Sequence, residues 1–137
     1  MILPSSVAGS TSQEVGYFDT SPGELAAWLL AGFTDEWAVV KPGWKSLGDA
    51  ARSLTPAVPV SRYAFLGMNG WTVMLNNGPK GTDVGVMPSR AARDLGCRAI
   101  RAVCVADEDQ GFAARILEVY GPEGDRPLAL ERSIVAA

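Results

Sequence analysis

Residues 74–85 read MLNNGPKGTDVG and place Lys80, Thr82 and Asp83 among three glycines and two asparagines. Such a stretch can hold an anion on backbone N–H groups with a lysine beside it. Its spacing fits neither defined phosphate motif. A P-loop needs G-x-x-x-x-G-K-[ST], whereas Lys80 precedes Gly81, and the G-x-G-x-x-G of a dinucleotide fold is absent. The alternative is a strand-to-helix connection in which glycines supply positive φ and Thr82 or Asp83 bonds to nearby backbone. A second candidate is the acidic run Asp107, Glu108, Asp109. Asp107, Asp109 and Glu118 match positions 1, 3 and 12 of a calcium loop, but position 6, which must be glycine, is Phe112. The run reads better as a charged hairpin turn.

The chain contains no histidine. This removes Ser-His-Asp and Cys-His nucleophilic machinery, histidine bases and histidine-ligated metals. Chemistry would fall to carboxylates, Lys, Tyr, Cys or a cofactor. The paired carboxylates Asp35-Glu36 and Asp107-Asp109 lie in polar segments, where pKa shifts are small. Cys97 and Cys104 lack C-x-x-C spacing. On one extended segment they would stand roughly 23 Å apart, beyond disulfide reach, so two free thiols are expected. Arg90 and Arg93 can share a helix face, but Arg98 and Arg101 point to opposite faces of a strand and build no single patch. With a net charge of −3, the chain is a poor default ligand for nucleic acid. Trp44, in KPGWK, is the tryptophan best placed for surface contact.

The elements that would position these residues follow from patterning. Residues 1–16 are rich in Ser, Gly and Thr, and a loose arm is expected, with a single domain over 17–137. TSPGELAAWLLAGF predicts a helix with Ser21 as cap, Pro22 in the first turn, Glu24 closing a capping box and Gly32 as stop. EWAVV at 36–40 suits a short strand. WKSLGDAARSL predicts a second helix with Leu47, Ala50, Ala51 and Leu54 on one face. Two runs around Asn69-Gly70 predict a hairpin with a primed turn. MPSRAARDLG predicts a short helix, and 98–105, 112–120 and 128–137 predict an antiparallel meander. The expected class is α+β, with N-terminal helices on one face of a mostly antiparallel sheet of about five strands and one inserted short helix. No basic leader and no apolar run of membrane-spanning length occur in the sequence, so a cytoplasmic protein is expected.

The segments GWTVMLNNGPKGTDVG, LGCRAIRAVCV and LEVYGPEGDRPLALERSIVAA carry a resemblance. They look like a group of small bacterial proteins with a GWT strand, an N-G-x-x-GTD loop, an LGC helix end and an RSI strand. That group resembles single-domain immunity proteins, which neutralise toxins. The resemblance covers about residues 62–137 and implies protein binding by analogy.

The expected function is therefore a non-enzymatic protein-binding module of inhibitor or immunity type, with no cofactor and no direct contact with nucleic acid or membrane. Its partner would be another protein, such as a basic toxin or a nucleic-acid-binding complex. Contact residues would be Trp44, Lys80, Asp83, Asp107, Glu108, Asp109, Glu123 and Asp125. The alternative is an anion- or nucleotide-binding domain, or an enzyme, using the 76–87 loop.

Overall fold

The computed structural model describes residues 12–32, 43, 46–54, 62–77, 83–105 and 113–136. Among these residues, six strands form one antiparallel sheet, and three helices pack on it. The strands are β1 (Ser12–Phe18), β2 (Tyr63–Met68), β3 (Trp71–Asn76), β4 (Ala99–Val105), β5 (Ala114–Asp125) and β6 (Leu130–Ala136). The helices are α1 (Pro22–Ala31), α2 (Leu47–Ser53) and α3 (Met87–Leu95). Strand order is β2-β3-β1-β4-β5-β6. The α+β class is as expected. The sheet has one strand more than anticipated, and the EWAVV segment lies outside the described residues.

The extra strand is β1. Residues 12–16, expected within a loose arm, begin a strand that sits between β3 and β4. Strand β1 has two apolar sides: Val15 and Tyr17 face one way, Phe18 the other. A strand apolar on both sides must be covered on both, and this sets the layering. Helices α1 and α3 cover one face, where Leu25, Ala91 and Ala92 pack with Phe18, Met74, Ala99 and Tyr120. Helix α2 covers the other, where Ala50, Ala51 and Leu54 pack with Val15, Ala64, Val73 and Leu75. The N-terminal helices thus lie on opposite faces, not on one.

Local signals act as expected at the helix ends. The Ser21 hydroxyl accepts from the Glu24 N–H at 3.2 Å, and the Glu24 carboxylate accepts from the Ser21 N–H, a complete capping box. Gly32 caps α1 at its C-terminus. Asn69 and Gly70 both take positive φ, as the tight β2–β3 hairpin requires. Gly96 ends α3 in the left-handed conformation. Cys97 and Cys104 are both free and half-buried. Among the described residues, no helix is long and apolar enough to cross a membrane.

Candidate functional site

Strands β1, β4 and β5 place a charged cluster on the α1/α3 face. Register sets Arg101 opposite Gly16 on one side and opposite Glu118 on the other. The guanidinium is clamped between two carboxylates. Its Nε and Nη2 donate to the two oxygens of Glu14 at 3.1 and 2.8 Å, and Nη1 donates to Glu118 at 2.9 Å. The Tyr120 hydroxyl donates to the same Glu118 oxygen at 2.7 Å. The Gly85 N–H, in the turn before α3, donates to Glu14 at 3.3 Å. Glu14 is buried, and Arg101 and Glu118 are mostly so.

The electrostatics of the cluster favour its paired state. Burial alone would raise the Glu118 carboxyl, but hydrogen bonds from Arg101 and Tyr120 outweigh it and hold the group below its ordinary range. Burial pushes the Tyr120 hydroxyl up, and the bond to Glu118 pushes it further. Burial disfavours the Arg101 charge, yet its bonds to Glu14 and Glu118 keep it more firmly protonated than usual. Among the described residues, no buried side-chain polar atom lacks a partner. The arrangement can lock three strands and one turn together. Glu118, matched in sequence to the last position of a calcium loop, is a mid-strand residue engaged by Arg101.

Among the described residues, the loop after β3 is tied at its ends by Asn76 and Asn77. The Asn76 side chain accepts from the Asp83 N–H at 2.6 Å and donates to the Asp83 carbonyl. Asn77 accepts from the Arg62 N–H at 2.7 Å, extending the β2–β3 pairing. Asp83 is exposed, at the end of the sheet where β1 begins. Lys80 and Thr82 lie outside the described residues, as do Trp44, Asp107, Glu108 and Asp109. Glu123 and Asp125 are exposed together on the β5–β6 hairpin. That hairpin is at the opposite end of β5 from Ala114, which pairs with Val105 where β4 ends. The structure therefore brings Glu123 and Asp125 together and sets Asp83 at the other end of the sheet.

The second notable surface is a stretch of sheet that no described helix covers. On the α2 face, register aligns Ala102, Leu117 and Ile134 in one row across β4, β5 and β6. The flanking rows are Ile100, Val119 and Arg132 on one side and Cys104, Arg115 and Ala136 on the other. Helix α2 packs over β1, β2 and β3 and leaves these rows open. Leu117 is 40% exposed and Ile134 is 53% exposed. On edge strand β6, Val135 is 65% exposed on the opposite face.

Sequence reasoning missed both features. Glu14 was hidden in a segment read as an arm, although QEVGYF has the alternation of a strand. The open row had a legible signal in the adjacent Ile134 and Val135 of a terminal strand, which must point to opposite faces. No family model, curated protein or solved structure matches the chain.

Proposed function

We propose that this chain is a non-enzymatic protein-binding module of inhibitor or immunity type, which acts in the cytoplasm by covering a functional surface of another protein. The observation that carries the reading is the apolar row of Leu117 and Ile134, left open among the described residues beside the part of the sheet that α2 covers. Contiguous exposed apolar residues framed by polar ones mark interaction surfaces. The clamped Glu14–Arg101–Glu118 cluster adds support, because its groups are used in holding strands together. Glu123 and Asp125, exposed on the same β5–β6 hairpin, would meet basic groups of the partner and steer association.

The test is affinity capture from the native host with wild-type chain and with a Leu117→Asp/Ile134→Asp variant. Both side chains are already substantially exposed, so the variant keeps its thermal stability while losing the captured partner. Equal capture by the two chains, or no partner with either, would contradict the reading.

A further inference from the structure

The open sheet face has a charge pattern as well as an apolar row. Arg132 stands one row to one side of Ala102, Leu117 and Ile134, and Arg115 stands one row to the other. Both arginines are exposed, and neither forms an ion pair with a described residue. No carboxylate occupies these rows. Glu118 points to the opposite face, into the cluster with Arg101.

Residues two apart on a strand are separated by about 6.8 Å, so Arg115 and Arg132 stand roughly 14 Å apart along the strand direction. The apolar row runs midway between them. A helix with its side chains is about 10–12 Å across. It fits between the two arginines with its apolar ridge on Leu117 and Ile134. Helix α2 already covers the neighbouring half of this face, so a second helix here would complete a layer that the chain itself builds only in part.

We propose that this face seats an amphipathic helix of the partner protein whose apolar ridge is flanked on both sides by carboxylates. The proposal rests on the protein-binding reading above and specifies what the partner presents. Arg115 and Arg132 select for acidic flanks, while Leu117 and Ile134 supply the apolar contact.

Two synthetic helical peptides with the same apolar stripe test it, one with glutamates on both flanks and one with lysines. Each is titrated into the isotopically labelled full-length chain. The glutamate peptide is expected to bind at least tenfold more tightly than the lysine peptide and to weaken as salt rises. Its chemical-shift changes should centre on Ala102, Leu117 and Ile134. An Arg115→Glu/Arg132→Glu variant should reverse the preference. Equal or tighter binding of the lysine peptide overturns the proposal, as do shift changes centred elsewhere or binding of neither peptide. Sedimentation of the chain alone adds a further arm. Self-association that Ile134→Asp abolishes would assign the face to a second copy and overturn the acidic-helix proposal. None of these results decides the protein-binding reading, which the capture experiment tests separately.

Discussion

Replacing Arg101 with methionine removes the cation that two carboxylates share. Arg101 makes three hydrogen bonds, two to Glu14 and one to Glu118. The Glu14 side chain is only 10% exposed, against 23% for Arg101 and 20% for Glu118. Breaking a buried pair by removing one partner costs about 3–5 kcal/mol, and partial exposure here favours the lower end, about 3 kcal/mol. For a domain of this size each kcal/mol moves Tm by about 3–5 °C, so the expected loss is about 9–15 °C at neutral pH. In the variant, burial of Glu118 is no longer offset by the guanidinium, so its carboxyl rises and protonates more readily on mild acidification, and the penalty shrinks between pH 7 and pH 5. Thermal unfolding of both proteins at the two pH values measures this. A triple variant, Glu14→Gln/Arg101→Met/Glu118→Gln, should recover part of the loss. An unchanged Tm for Arg101→Met, or a penalty that grows toward pH 5, would refute the reasoning.

Three further outcomes follow from the same geometry. Gly16→Ala places a Cβ 2.8 Å from the Phe18 ring, which is fully buried, and should cost about 1–3 kcal/mol in urea unfolding. Ser21→Ala removes the α1 cap and should cost about 1 kcal/mol in the same assay. Tyr120 has a raised hydroxyl, so its stabilising effect is complete below the ordinary tyrosine range near about pH 10 and is lost as pH rises through the folded-state value. Wild-type stability should therefore fall above that pH, and Tyr120→Phe should fall less steeply when unfolding is followed from pH 8 upward.

The elements with strong local signals were legible in the sequence. The Ser21–Glu24 box, the Asn69-Gly70 turn and the Gly96 stop act through neighbours in the chain, so composition reveals them. The central position of β1 was not legible, because its pairing partners Thr72–Met74 and Ala99–Val105 are distant in sequence. The layering followed from β1 and was lost with it. The Glu14–Arg101 pair spans 87 residues and leaves no local trace. The opposite orientations of Arg98 and Arg101, by contrast, follow from strand periodicity alone. That reasoning already detached Arg101 from any surface patch, and the structure ties it to Glu14 and Glu118. In the sequence, Lys80 and Asp83 are the conspicuous side chains of the loop at 74–85. Its described geometry is set by Asn76 and Asn77, whose amides bond backbone across the loop and the hairpin end.

The central claim is that the open face of β4, β5 and β6 contacts another protein. In-cell photocrosslinking tests it most directly, with a photoreactive residue placed at Ile134 or, on the surface of α3, at Arg90. Both positions are exposed and lie on opposite sides of the sheet. The account predicts a discrete protein adduct from Ile134 and none from Arg90. An adduct from Arg90 without one from Ile134, or none from either position, would contradict it.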